Sequence, residues 1–268
     1  MKYALLDRGD RLSIELAETF HALAADRGLV REETSPELVV TIGGDGTMLQ
    51  AFHRFRDRVK DVAFVGVHTG HLGFYADWKK DELPELVERI ASMKEPYLAR
   101  YPLIEINIAL GNSAEQYLAL NEFTLKSVDG TLVAAIHIND EPFEMFRGDG
   151  IVISTPPGST GYNKSLGGAI IHPSFEGIQI AEIASINNRV YRTLGSSMIL
   201  PKHHHCDIAP DPDELLHVAI DHLVLQMKGV RSILCRVAQE KVAFARYRPY
   251  PFWNRVREAF IGSPPDKR

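Results

Sequence analysis

Three glycines packed around one acid at the end of an apolar run constrain this chain more than any other feature. In "VVTIGGDGTMLQAFH", Val39 to His53, the residues Val39, Val40 and Ile42 read as a short buried strand, and Met48, Leu49 and Phe52 recur behind the turn at helical spacing. The glycines admit a plain reading: Gly43 and Gly44 permit a tight turn, since glycine accepts positive φ at little steric cost. They also admit a chemical one, in which backbone N–H groups cradle a phosphate at a helix N-terminus. Asp45 would repel phosphate unless it binds a divalent cation or takes the proton of an attacking hydroxyl, and both tasks belong to phosphoryl transfer. Helix N-capping is the structural alternative for Asp45.

The flanking segments extend the strand–loop–helix pattern. "KYALLD" reads as a strand, Leu12 to Ala25 as an amphipathic helix, "DVAFVGVHTG" as a buried strand and Glu82 to Met93 as a helix. Such α/β alternation favours a parallel sheet. From Tyr101 the chain turns β-rich, with "PLIEINIAL", "EQYLALNEFTLKS" and "LVAAIHIND" separated by turn signals at Gly111-Asn112 and Asp129-Gly130. The expected architecture is an α/β domain over residues 1–100, completed by 248–268, and a β-rich domain over 101–247. In the tail, Trp253, Val256 and Phe260 are expected to dock a terminal helix.

Composition narrows the partners. The 30 Lys and Arg residues against 35 Asp and Glu give no general electrostatic reason to bind nucleic acid or a membrane, so the expected partner is a small molecule. Cys206 and Cys235 are too few for a disulfide framework, "MKYALLDRGDRL" meets charge before a signal-like core forms, and no apolar run is long enough to span a bilayer. A cytoplasmic protein is expected. In "KHHHCD", Lys202 to Asp207, neighbouring strand residues point to opposite faces and cannot all converge on one metal ion.

A second constellation lies at "FRGDGIVISTPPGSTGYNKSLGG", Phe146 to Gly168, which joins a cation, a carboxylate, hydroxyls and approachable backbone in one stretch. A hairpin turn over Gly148, Asp149 and Gly150 followed by an ordinary polar connection is its structural alternative.

In order, "GGDGT" (Gly43 to Thr47), "HTGHLGF" (His68 to Phe74), "LNE" (Leu120 to Glu122), "RGDG" (Arg147 to Gly150) and "TPPGSTGYNKS" (Thr155 to Ser165) closely resemble the motifs of the NAD kinase family. The tail with "PFW" is similar to the short bacterial form. The first motif is shared with diacylglycerol and sphingosine kinases; the later ones make the resemblance specific. It implies transfer of phosphate from ATP, in some members polyphosphate, to the adenosine ribose 2′-OH of NAD. It also implies NAD bound in a cleft between two such domains, Mg²⁺ held mainly through the ATP phosphates, and a homodimer or homotetramer.

Carried onto this chain, the resemblance makes Asp45 the general base and Gly43, Gly44, Gly46 and Thr47 the phosphate loop, with Asp45 and Gly46 also touching substrate. It assigns Asn121 and Glu122 to the NAD adenosine, Asp149 to the nicotinamide half and Arg147 to a contact across a subunit boundary. The loop Thr160, Gly161, Tyr162, Asn163, Lys164 and Ser165 encloses the adenine, Phe74 and Tyr75 pack on the ligand, and the Ala184 backbone lines the pocket. His222 either reaches the pocket or is a half-buried strand histidine. Pro157 and Gly161 depart from the family's usual Thr or Ser and Ala. A lipid kinase sharing only the first loop and a dinucleotide sensor without turnover are the competing readings; the first lacks a basic amphipathic helix, and intact Asp45 argues against the second.

Overall fold

The computed structural model describes residues 1–70, 73–93 and 95–262. His71 and Leu72 of the "HTGHLGF" motif, and residues 263–268 of the tail, lie outside the described residues. The chain divides into two compact units, one built from Met1–Tyr101 and the chain from Val242 onward, the other from Pro102–Lys241.

The first unit begins with β1 (Lys2–Asp7), α1 (Arg11–Asp26), β2 (Val30–Arg31), β3 (Leu38–Gly43), α2 (Asp45–Arg54), β4 (Ala63–His68), β5 (Trp78–Lys79) and α3 (Leu83–Ser92). Its strands pair in parallel in the order β2, β1, β3, β4, with β5 added to β4. All six residues of β3 are buried, as a strand covered on both faces requires, which is why "LVVTIG" is apolar on both faces, broken only by the buried Thr41, rather than alternating. On α2 the buried residues Met48, Leu49, Ala51 and Phe52 form the predicted inner face, and on α3 Leu83, Leu86, Val87 and Ile90 do the same behind a proline in the first turn.

The second unit is β-rich. It runs β6 (Tyr97–Leu110), β7 (Ser113–Ala119), β8 (Glu122–Ser127), β9 (Leu132–Ile138), β10 (Glu141–Gly148), β11 (Gly150–Ser154), α4 (Tyr162–Ser165), β12 (Gly177–Ile183), β13 (Met198–Pro201), β14 (His205–Pro210), β15 (Leu216–Ile220), β16 (Leu223–Met227) and β17 (Val230–Arg246). One antiparallel sheet has the order β13, β12, β11, β8, β15, β16; β10, β9, β14 and β17 form another antiparallel run. Ile106, Phe123, Leu125, Ile136, Ile151, Ile153, Ile208 and Val218 belong to one core cluster. Strands β9, β14 and β15 alternate buried and half-buried residues, whereas β11, flanked by β8 and β12, is buried throughout.

Four sequence readings change here. "EQYLALNEFTLKS" is not one strand: it breaks at Leu120 and Asn121, so that β7 pairs with β6 and β8 with β11 and β15. Gly148, Asp149 and Gly150 are not a hairpin turn, because β10 pairs with β9 while β11 pairs with β8 and β12. The first unit resumes at Val242, ahead of residue 248, since Ala243 and Phe244 pair in parallel with Ala63 and Phe64 of β4. The terminal helix α5 (Phe252–Phe260) buries Phe252 and Arg255; of the expected docking residues Val256 is half-buried and Phe260, though exposed, stacks on Phe74, while Trp253 is 57% exposed. No described helix is long and apolar enough to cross a membrane.

Asp10 caps α1 by accepting the Ser13 amide at 3.0 Å. Asp10→Ala is expected to cost about 1 kcal/mol of stability in urea unfolding while leaving turnover unchanged.

Candidate active site

The Gly-rich loop holds its acid from outside the helix. Gly44 is the N-cap of α2, with extended backbone at φ −117° and ψ −169°, so Asp45 is the first helical residue and not the cap. Its carboxylate turns instead to the loop before β5. The Phe74 amide donates to both oxygens at 2.9 and 3.1 Å, and the Tyr75 amide donates to Oδ1 at 3.1 Å. A Cβ at Gly73 would stand 2.3 Å from Asp45 Oδ1, so glycine is what lets this loop close on the acid. Burial raises the Asp45 carboxyl above its ordinary value, opposed by the two amides and by the charges of Arg255 and His68.

The loop glycines divide the work. A Cβ on Gly43 would fall 2.2 Å from Thr47 Oγ1, so Gly43 seats the buried Thr47 side chain. Added Cβ atoms at Gly44 and Gly46 would meet nothing within 4 Å, so the backbone at the start of α2 can be approached closely there, while the Thr47 amide already donates to the Gly44 carbonyl at 3.0 Å.

The segment that grips Asp45 is itself anchored by the chain's end. Arg255 on α5 donates to the carbonyls of Gly73 at 2.8 Å and Ala76 at 2.5 Å and to Asp77 Oδ1 at 2.9 Å. Arg246 pairs with the other Asp77 oxygen, and the Tyr250 hydroxyl donates to the Phe74 carbonyl at 2.5 Å. The Tyr75 ring is 2% exposed and stacks on Phe244, so its side chain belongs to the core and only its amide serves the site. Phe74 is half-buried and packs on Phe252 and Phe260.

In the second unit, Asn121 and Glu122 sit in a turn held from two sides. Thr155 Oγ1 donates to the Leu120 carbonyl at 2.6 Å, and the Thr155 amide donates to the Asn121 carbonyl at 2.8 Å. From the other side, the Asp221 carboxylate accepts the amides of Leu120, Asn121 and Glu122. Gly158 lies against this turn so closely that a Cβ would be 2.1 Å from the Asn121 carbonyl oxygen. Burial pushes the Glu122 carboxyl up to about 8, and the Asp221 charge adds to the rise. Glu122 Oε2 is buried without a hydrogen-bond partner among the described residues.

The loop Thr160 to Ser165 is a helical turn capped at Gly161, where φ is −91°. An alanine Cβ there would meet Glu122 Oε2 at 3.2 Å and the Gly158 carbonyl oxygen at 3.3 Å, so it fits only if both give slightly. Thr160 bonds the Pro157 carbonyl at 3.1 Å, and Tyr162 accepts from Lys126 Nζ at 3.2 Å. Asn163 is fully buried against Ser159, Ala169 and Gly168, so its side chain braces the loop; Lys164 and Ser165 are exposed.

Arg147 stacks over the Tyr191 ring at 4.4 Å, and Asp149 is exposed with its amide bonded to the Ile183 carbonyl. Ala184 holds the left-handed region at φ 46°, a strained conformation for a residue with a Cβ. His222 is an exposed turn residue between β15 and β16, not a strand histidine. Strand alternation in "KHHHCD" sends Cys206 into the core while His205 and Asp207, with Asp140, bring ligand atoms within 4.8 Å of one another.

Sequence reading passed over Gly73 as an individual, Asp77, Thr155, Asp221 and Arg255. Each acts through backbone amides, carbonyls or a distant charge, and only the "HTGHLGF" and "TPPGSTGYNKS" motifs carried any signal for them.

Family models match both parts of the chain: the ATP-NAD kinase N-terminal domain over residues 25–95 and the ATP-NAD kinase C-terminal domain over residues 120–222. NAD kinase 1 of Halalkalibacterium halodurans is 54% identical over 265 residues, covering 98% of this chain and 99% of its own. Among solved structures, yeast NADH kinase complexed with NADH superposes with a TM-score of 0.81 at 18% identity, covering all of this chain and 89% of its own. An NAD kinase from Archaeoglobus fulgidus in complex with ATP gives 0.77 at 19% identity, with 98% of each chain covered.

The raised Glu122 carboxyl makes stability pH-dependent. The folded chain keeps a proton that the unfolded chain loses near 4.5, so this contribution is full below about 4.5 and is lost as pH rises to about 8. Glu122→Gln is expected to flatten that decline in denaturant midpoints measured from pH 5 to 8.

Proposed function

The chain belongs to the NAD kinase family, and from that premise we propose how its residues phosphorylate NAD to NADP at the expense of ATP. The observation that carries the reading is the capture of Asp45 by the Phe74 and Tyr75 amides at the start of α2. That grip fixes the carboxylate at the approachable N-terminus of α2, while burial raises its basicity above that of an exposed aspartate. Asp45 takes the proton of the attacking 2′-hydroxyl, and the Gly44 to Gly46 backbone receives phosphate oxygens. Gly43 and Thr47 maintain the shape of the loop.

Asn121 and Glu122 hold the adenosine ribose, for which an amide and a half-buried carboxyl offer both donors and acceptors. The loop Thr160 to Ser165 encloses the adenine, with Tyr162 presenting its ring and Asn163 bracing the turn from within. Asp149 and the Ala184 backbone serve the nicotinamide half and the pocket wall, and His222, displayed on the turn that also carries Asp221, contributes at its edge.

The loop from Gly43 to Thr47 has one carboxylate, and both of its oxygens accept backbone amides, so it is not a metal cage. The Asp140, His205 and Asp207 cluster lies on other elements. Mg²⁺ therefore enters as the Mg–ATP substrate. We further propose a homodimer or homotetramer in the cytoplasm. The exposed Phe143 and Met145 on β10 and the free thiols of Cys206 and Cys235 support that reading. Arg147, stacked on Tyr191, is the residue proposed to reach a neighbouring subunit.

NADP formation from NAD with Mg–ATP, compared with polyphosphate, tests the activity directly. Asp45→Asn is expected to lower kcat about a hundredfold or more with NAD affinity little changed in calorimetry. Near-normal kcat with lost NAD binding would instead make Asp45 a positioning group. Excess EDTA is expected to abolish turnover, and undiminished NADP formation in metal-free reagents would overturn the Mg–ATP assignment.

A further inference from the structure

The Asp221 carboxylate does more than close a hairpin. It accepts three consecutive backbone amides, from Leu120 at 2.9 Å, Asn121 at 2.7 Å and Glu122 at 3.1 Å. Successive N–H groups converging on one point form an anion-binding nest, and here the chain supplies the anion itself. The exchange is reciprocal, because the Asp221 amide donates to the Glu122 carbonyl at 2.9 Å.

The register explains how the acid arrives there. β15 pairs with β8 so that Ile220 lies opposite Phe123, and Ile220 pairs across the turn with Leu223 of β16. Asp221 is therefore the first of two turn residues and falls beside Glu122. Its φ of 52° is left-handed, a conformation that aspartate and asparagine tolerate better than other residues with a Cβ. Closing this turn alone would need no carboxylate, since glycine suits such a backbone better. The carboxylate is explained by the three amides it collects.

We propose that Asp221 is a positioning residue for NAD binding: its carboxylate fixes the Leu120–Glu122 backbone and thereby presents the Asn121 and Glu122 side chains to the adenosine ribose. This rests on the assignment of Asn121 and Glu122 to that ribose. The device works without contact between Asp221 and the ligand. Thr155 and Gly158 restrain the carbonyl side of the same turn, so removal of the acid releases one side while the other remains held.

The acid has a second effect through charge. It acts on Glu122, already raised by burial, and favours the protonated carboxyl. The other titratable groups on the described elements packed around Glu122 are His222 on the same turn, His217 on β15, Lys126 on β8, and Tyr162 and Lys164 on α4. In its protonated form Glu122 offers the ligand a group able both to donate and to accept.

Asp221→Asn is the informative substitution, because it preserves volume and tolerance of positive φ but replaces one acceptor oxygen with an amide group that opposes an N–H donor. Steady-state kinetics at saturating Mg–ATP should show KM for NAD raised at least tenfold, kcat at saturating NAD within about threefold of the parent chain, and the inflection of NAD affinity with pH moved downward. Calorimetry with NAD and thermal unfolding on the same full-length samples separate binding from folding. An unchanged KM and an unmoved pH inflection in a folded Asp221→Asn chain would overturn the proposal, as would a loss confined to kcat. Should that variant fail to fold, Asp221→Ser, which keeps an acceptor of smaller size, is read by the same criteria. A parent chain that makes no NADP would defeat the assignment of function, whereas a competent parent with an indifferent Asp221→Asn variant defeats only the role given to Asp221.

Discussion

Burying the Asp77 carboxylate, 4% exposed, costs several kcal/mol unless opposite charge and hydrogen bonds replace the lost water. Arg246 and Arg255 supply both, one at the end of β17 and the other on α5. The guanidinium of Arg255 also binds the carbonyls of Gly73 and Ala76, so the pairing that makes Asp77 tolerable also shapes the loop whose amides hold Asp45. The chain's final described helix thereby shapes the loop that holds Asp45.

The same economy appears in the second unit, with the roles of charge and backbone exchanged. Asp45 is gripped by amides so that its carboxylate is placed, whereas Asp221 grips amides so that other side chains are placed. In both cases backbone N–H groups, fixed by the fold, meet one carboxylate whose position is set by a strand end. Hydrogen bonds to charged groups are stronger than those between neutral partners, which suits them to holding a turn against the conformational freedom of its residues. Asp45 and Glu122, both raised by burial, differ in relief: amides oppose the effect at Asp45, while Glu122 receives no such opposition and keeps its proton toward neutral pH.

Much of the architecture was legible in the chain because local pattern and tertiary environment agree. The largely apolar run of β3, the inner face of α2 and the alternation in β9 and β15 each announce their burial. The motifs also located the Gly-rich loop, the Asn121–Glu122 turn and the loop after β11. Reading failed where periodicity is silent. The run ending in "LNEFTLKS" gives no sign that its two halves pair with different strands, since both halves are apolar and strand-like. In the tail, aromatic content suggested Trp253 and Phe260 as anchors; Phe260 does pack on Phe74, but Trp253 stays exposed and a buried ion pair turned Arg255 inward instead.

Most strands and helices, the positions that need glycine and the acids available for chemistry were set by the chain alone, because these follow from side-chain period, steric freedom and residue type. Tertiary structure alone decided what each acid does. Whether Asp45 caps its helix or faces the Phe74 amide, and whether Asp221 merely turns a hairpin or collects the amides of Leu120 to Glu122, depends on groups 29 and 99 to 101 positions away along the chain. Contacts at such separations are set by strand order and register, and the balance of burial against hydrogen bonding that fixes a carboxyl's protonation exists only once they have formed.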